Sequence, residues 1–172
     1  QLTRNAQVIY RSGNTNANVV GTTPEYALVR NLEVEQGQFF AAQELASSAR
    51  VAVLGSGIAK DLFDTESPVG QTIRINRTPF RVVGVLVEQG GVGGGPSIDN
   101  NVLVPISTAQ ARLFGTSTAR RGGRAVSLIS VSAVSEDRID AAIQQITDLL
   151  RERHRIKYQE DDFTITSQKD IL

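Results

Sequence analysis

The clearest alternation of apolar and polar positions lies near the C-terminal end of the chain. Large apolar side chains recur there every three or four residues, the spacing of one face of an α-helix. They are Ile139, Ile143, Ile146 and Leu150. Ser135 is a suitable N-cap residue. The pattern predicts a helix over residues 136–154 between strands over 126–134 and 163–166, which together make a βαβ unit.

The first half of the chain predicts short strands joined by turns. Two short segments, residues 7–11 and 18–22, contain valine and isoleucine between polar residues. A glycine- and asparagine-rich segment at 13–16 separates them. Residues 72–76 alternate with period two and precede a long apolar run at 80–87. Both patterns are typical of β-hairpins.

The middle of the chain carries a strand, a tight turn and a helix in succession. Residues 51–54 form a continuous apolar run, residues 55–57 read Gly-Ser-Gly, and residues 58–63 place Ile58, Leu62 and Phe63 on one side of a helix. Farther on, an apolar run at 102–105 predicts another strand, and a helix is expected at 107–114.

Two segments interrupt this pattern and are predicted to be loops, which are candidates for contact with a partner. The first, residues 89–101, is rich in glycine and too flexible for a regular element. The second, residues 115–124, combines small residues with arginine. Loops on a rigid scaffold often carry recognition, although a flexible connection without a partner is the simpler alternative. The candidate residues are Gly90, Gly91, Gly93, Gly94, Gly95, Arg120 and Arg121.

Composition removes several classes of function from consideration. The 172 residues carry 18 basic and 18 acidic side chains, so no basic excess favours nucleic acid. The absence of cysteine excludes disulfides, thiolate metal sites and cysteine nucleophiles. Gln1 is not a translational start and the chain has no methionine, so we expect a fragment of a longer protein. No run approaches the roughly 20 apolar residues of a membrane span.

Candidate chemistry is weak at each position considered. The turn Gly55–Gly57 invites a phosphate-binding interpretation, but Lys60 stands where a Rossmann fingerprint has its third glycine. His154 is the only histidine, which excludes a His-His metal site. A hydrolase requires Ser56 or carboxylates to converge in a pocket. We therefore predict no catalytic, cofactor or metal residues and treat the acidic residues as solvated. The carboxylates considered are Asp61, Asp64, Glu66, Asp99, Asp137 and Asp140.

The basic segment from Arg151 to Arg155 is expected at the last turn of the C-terminal helix, where the helix dipole favours positive charge. Contact with lipid headgroups is an alternative. Glu160–Asp162 follow closely and are expected to offset much of the positive field.

Several ordered segments together resemble the MacB-like periplasmic core domain of the MacB/FtsX-like ABC transporter permeases. Their order and spacing carry the resemblance, which extends over about nine tenths of the chain. The segments are Val20–Tyr26, Gly37–Phe40, Val51–Gly55, Leu62–Phe63, Pro68–Ile73, Phe80–Leu86, Val104–Pro105, Thr108–Ala109, Leu150–His154 and Asp162–Phe163.

The resemblance implies an extracytoplasmic domain without an active site, placed between the first and second transmembrane helices of a permease. It implies partners: the protein's own transmembrane helices, a cytoplasmic ATPase subunit or domain, a second permease copy and an adaptor outside the membrane. Family members usually begin this domain with a strand and a helix, and we expect the present chain to start after most of that segment. The resemblance indicates neither the substrate nor the role of the glycine-rich segment.

We expect an α+β fold of two lobes. Residues 1–34 and 116–172 are assigned to a mixed α/β lobe similar to the porter units of RND pumps, and residues 35–115 to a smaller β-rich lobe. The expected function is to couple cytoplasmic ATP hydrolysis to conformational change outside the membrane, in efflux or in lipid or peptide export. The alternative is a stand-alone extracytoplasmic module that binds a ligand between the lobes.

Overall fold

The computed structural model describes residues 1–90, 97–115 and 125–167. Within them the chain divides into two compact units, Gln1–Ser130 and Val131–Leu172. The strands are β1 Leu2–Tyr10, β2 Gly13–Thr22, β3 Val34–Gly37, β4 Val51–Leu54, β5 Thr72–Ile75, β6 Thr78–Leu86 and β7 Asn101–Pro105. The helices are α1 Tyr26–Val29, α2 Ala42–Ala46, α3 Ser56–Phe63, α4 Ile106–Thr108, which continues as a π-helical turn Ala109–Leu113, and α5 Ile139–His154.

The first unit is built on one sheet whose strands lie in the order β3-β6-β4-β7-β2-β1-β5. Strand β5 pairs with β1 and also with β6, so the sheet closes on itself. The β2–β7 and β4–β6 pairs are parallel, and the remaining pairs are antiparallel. Closure leaves few unpaired backbone groups among the six strands that it joins, while β3 pairs only with β6.

The central strands are buried on both faces, and this explains why their sequences are continuously apolar. In β4, Ala52 and Leu54 face the larger apolar cluster, which includes α3 and the fully buried Phe80. Val53 faces a second cluster that includes Tyr26 and Phe40. The chain therefore packs apolar side chains on both sides of β4.

The two predicted hairpins are confirmed, and their turns follow from backbone geometry. Strands β1 and β2 pair from Leu2 with Gly21 to Tyr10 with Gly13, so the turn is Arg11–Ser12 and lies before the predicted segment at 13–16. Strands β5 and β6 turn at Asn76 and Arg77, both with positive φ, as a two-residue type I′ turn requires.

The predicted helix at the C-terminal end is confirmed, but the βαβ unit around it is wrong for the described residues. Helix α5 follows a 3₁₀ turn at Glu136–Arg138. Residues 126–134 and 163–166 are not in strands. A strand needs a hydrogen-bonded neighbour, and no other strand of the described residues pairs with either segment.

The sheet also groups the segments differently from the expected lobes. Residues 1–34 were expected with 116–172, but β1 and β2 belong to the same sheet as the strands of 35–115. The physical reason is the pairing of β2 with β7 and of β1 with β5, which joins the N-terminal hairpin to the middle segment. The division falls after Ser130, and the unit that holds the middle segment is the larger one.

Candidate functional site

Asp99 holds together the two chain segments that flank the glycine-rich stretch. Its carboxylate accepts hydrogen bonds from the backbone N–H groups of Gln89 at 3.0 Å and Gly90 at 2.9 Å. It also accepts one from the Ser97 hydroxyl at 2.9 Å. Asp99 itself lies in the 3₁₀ turn Ile98–Asn100 that leads into β7. One buried side chain therefore joins Gln89–Gly90 to Ser97–Asn100. These two flanking segments are called the loop base below.

The environment of Asp99 stabilises its ionised form. The residue is only 8% exposed, and burial by itself raises a carboxyl pKa. The hydrogen bonds from Gln89, Ser97 and Gly90 outweigh the burial, so the pKa of Asp99 is lowered. The carboxylate therefore carries its charge at neutral pH and keeps these donors paired.

The Gly55–Gly57 turn packs directly against this loop base. A Cβ atom at Gly55 would lie 2.4 Å from the carbonyl oxygens of both Ile98 and Asp99. The turn therefore needs glycine because another segment of backbone fills the space beside it. Ser56 is buried at the first position of α3. These carbonyl oxygens crowd the turn and would repel a phosphate placed beside it, so the geometry supports a packing role for these glycines.

Of the seven candidate contact residues in the predicted loops, the structure describes only Gly90. Gly90 is exposed, has φ of +63°, and a Cβ there would meet no atom within 4 Å. Gly91, Gly93, Gly94, Gly95, Arg120 and Arg121 lie outside the described residues. Asp99 was grouped with the solvated carboxylates, and that placement is wrong because the side chain is buried. Its position just after a glycine run, in the pattern Ser97-Ile98-Asp99, is the only local signal of its role.

A second feature of the first unit is a cleft of about 540 Å³ beside Tyr26. It lies between α1, α2, α4 and the segment 126–130. Hydrogen bonds from the Ser107 hydroxyl to the Leu45 carbonyl at 2.6 Å, and from Thr108 to Ala49 at 2.7 Å, fix α2 against α4. The apolar side chains that line it are Tyr26, Val29, Leu45, Ala46, Ile106, Val126 and Ile129.

The cleft also carries polar groups, which belong to Gln1, Thr22, Thr23, Glu25, Ser48, Ser107, Gln110 and Ser130. Among the described lining residues, only Glu25 has a side chain that is charged at neutral pH, and a hydrogen bond from Thr23 lowers its pKa. Burial raises the pKa of the Tyr26 hydroxyl. The described lining therefore combines apolar side chains with hydroxyl groups, amide groups and one carboxylate.

The second unit carries an ion pair and a histidine–carboxylate contact between the last turn of α5 and the segment that follows it. Arg151 donates two hydrogen bonds to the Asp161 carboxylate, at 2.7 and 2.9 Å. The His154 Nδ1 atom lies 2.7 Å from Asp162. The pairing with Arg151 lowers the pKa of Asp161. These pairs agree with the expectation that the acidic segment offsets the basic last turn of the helix.

Two further features are absent from the parts of the chain that the structure covers. No helix there is both long enough and apolar enough to cross a membrane. No group of three or more histidine, aspartate or glutamate side chains comes close enough to hold a metal ion in those same ranges.

Comparison with known proteins places the chain in a family. Residues 1–149 match the model of the MacB-like periplasmic core domain. The chain belongs to this family. The match covers the whole first unit and most of α5, and the resemblance expected from the ordered segments is confirmed.

The curated relatives of this MacB-like domain are transport proteins. The chain is 34% identical over 167 residues to the macrolide export ATP-binding/permease protein MacB of Bdellovibrio bacteriovorus, covering 96% of the chain and 24% of that relative. It is 32% identical over 168 residues to the pyoverdine export ATP-binding/permease protein PvdT of Pseudomonas aeruginosa, again covering 96% and 24%. The chain thus spans about a quarter of the length of these relatives.

Two solved structures share the fold of this MacB-like domain. One is the extracellular domain of the noncanonic ABC-type transporter YknZ from Gram-positive bacteria, with a TM-score of 0.71, 24% identity and coverage of 91% of the chain and 74% of that structure. The other is the periplasmic region of MacB from Actinobacillus actinomycetemcomitans, with a TM-score of 0.70, 24% identity and coverage of 90% and 65%. The mixed α/β architecture is therefore shared.

Proposed function

We propose that this MacB-like domain is the extracytoplasmic part of an ABC transporter permease and transmits conformational change that ATP hydrolysis drives in the cytoplasm. The observation that carries the proposal is the family match over residues 1–149. The curated relatives are named as export ATP-binding/permease proteins, which supports efflux or export as the process. The permease's transmembrane helices and its ATPase domain or subunit are the partners that the proposal requires.

The packing of the first unit suits transmission. Its sheet closes on itself, and β4 packs apolar side chains on both faces. Close-packed interiors have low compressibility and transmit displacement instead of absorbing it. A push applied at one end of this unit therefore moves the whole unit.

The two-lobe architecture belongs to the proposal as well. The second unit supplies α5, none of whose residues is fully buried. The solved relatives contain more residues than this chain, since it covers 74% and 65% of them. We propose that α5 belongs to an α/β lobe that a further strand and helix of the longer protein complete.

The glycine-rich segment is proposed to contact a partner, either a second permease copy or an adaptor outside the membrane. Its support is the buried Asp99, which fixes both flanks of the segment. Site-specific photocrosslinking from position 93 in the longer permease tests this assignment. A crosslink to a second copy or to an adaptor supports it, and crosslinks only within the same chain contradict it.

The location is tested by labelling a single introduced cysteine in intact cells. Arg74→Cys suits this test because Arg74 is exposed on β5 and the chain has no native cysteine. We expect a membrane-impermeant maleimide to label Arg74→Cys from outside, in wall-free or outer-membrane-permeabilised cells. A cysteine in the ATP-binding domain should react only after lysis. Labelling of both positions only after lysis would contradict the proposed extracytoplasmic location.

A stand-alone module that binds a ligand is the second candidate function. The observation that favours it is the mostly apolar cleft beside Tyr26, which lies within the first unit and not between lobes. A chain that binds ligand yet is never part of a membrane-spanning polypeptide would favour this candidate.

A further inference from the structure

We propose that the cleft beside Tyr26 binds an apolar molecule that carries a protonated amine, with the apolar body against the cleft walls and the amine at the Glu25 carboxylate. This inference does not depend on the transmission role, because a binding cleft can exist in the domain whether or not the domain moves.

The size and lining of the cleft favour an apolar occupant. Its volume of about 540 Å³ lies within the range of roughly 300–1,000 Å³ that is usual for small-molecule sites. Two lining side chains remain open to water, with Val126 45% and Ile129 62% exposed. An apolar molecule seated in the cleft would remove these side chains from water, which is favourable.

The charges of the cleft favour a cation over an anion. Among the described residues that line the cleft, Glu25 is the only one whose side chain carries a charge at neutral pH, and none is a lysine or an arginine. The hydrogen bond from Thr23 keeps Glu25 ionised by lowering its pKa. An anionic ligand would therefore meet a like charge within this described lining, whereas the Arg30 guanidinium lies outside it, 5.9 Å from the centre of the Tyr26 ring.

Three ligands that share one alkyl tail test the proposal by NMR titration of the isotopically labelled domain. They are octylammonium, octanol and octanoate, used below their aggregation concentrations. A short neutral peptide placed before Gln1 removes the charge of its α-amino group. We expect octylammonium to bind saturably, about three- to fivefold more tightly than octanol, with octanoate the weakest. The shifted resonances should belong to cleft residues such as Val29 and Ile106.

Variants of Glu25 decide whether the selectivity arises there. Glu25→Gln should lower the affinity for octylammonium to that for octanol and leave the affinity for octanol unchanged, whereas Glu25→Asp should keep the preference for the cation. The matched control is Glu33→Gln, an exposed carboxylate outside the cleft. Equal affinities for the three ligands, an unchanged preference in Glu25→Gln, or shifts centred outside the cleft would each overturn the proposal.

Discussion

The backbone N–H of Gly90 donates a 2.9 Å hydrogen bond to the buried carboxylate of Asp99, joining the residue before segment 91–96 to the turn that follows it. The same carboxylate accepts from Gln89 and Ser97. A partner that contacts the glycine-rich segment would therefore meet a loop whose flanks are already fixed. This preorganisation reduces the conformational entropy that binding must remove.

Replacement of Asp99 by asparagine should destabilise the first unit by about 2 kcal/mol, because a hydrogen bond to a charged group contributes about 1.5–3 kcal/mol and the asparagine NH₂ group faces donors. Chemical denaturation of the purified domain measures the change. The matched control is Asp61→Asn, on the exposed surface of α3, which should change stability by less than about 0.5 kcal/mol. Equal effects of the two variants would contradict the role given to Asp99.

Stability should depend on pH through Asp99 in a defined direction. Its pKa is lower in the folded chain than the ordinary value of 3.8, so the unfolded chain binds more protons in the interval between the two values. The stabilisation is therefore complete above the ordinary value and is lost as the pH falls through the folded value. Denaturation curves below pH 5 should show a steeper loss for the native chain than for Asp99→Asn. Parallel curves would contradict the prediction.

Much of the first unit follows from local sequence patterns. The apolar run at β4, the Gly55–Gly57 turn and the apolar side of α3 predict a strand, turn and helix, and the structure confirms them. The hairpin strands follow from period-two alternation. These elements are predictable because each pattern reflects the burial of its own residues.

Other features depend on contacts that are distant in sequence. Strand β3 was not predicted, since Val34 is its only large apolar residue and its backbone pairing with β6 defines it. Residues 126–134 have strand-like composition, but composition supplies no hydrogen-bonded neighbour. The role of Asp99 arises from donors up to ten positions away, which no spacing rule indicates.

Gly55→Ala should destabilise the first unit by about 2 kcal/mol or more. The new Cβ would lie 2.4 Å from two backbone carbonyl oxygens, and overpacking of this kind typically costs about 1–3 kcal/mol. Gly13→Ala is the matched control, because its Cβ would make only an ordinary 3.4 Å contact with the Tyr10 carbonyl oxygen. Thermal unfolding compares the two variants. A tolerated Gly55→Ala would show that the turn and the loop base separate easily.

The first unit should fold by itself. A polypeptide of residues 1–130 contains the whole closed sheet and both apolar clusters, so we expect one cooperative unfolding transition. Residues 131–172 contain a 16-residue helix with no fully buried side chain, and isolated helices of this length are marginal in water. Circular dichroism of the two fragments measures this. A cooperative transition in the second fragment alone would contradict the assignment.

The first unit is proposed to move as one body when the permease hydrolyses ATP. Spin labels on Gln43→Cys and Arg74→Cys, both at exposed positions of the first unit, measure this in the longer permease, with its other cysteines replaced. Double electron–electron resonance distances between the two labels of one chain should be the same with ADP and with a trapped ATP state, while distances between single labels on two copies change. A changed distance within one unit, with unchanged distances between copies, would contradict the account.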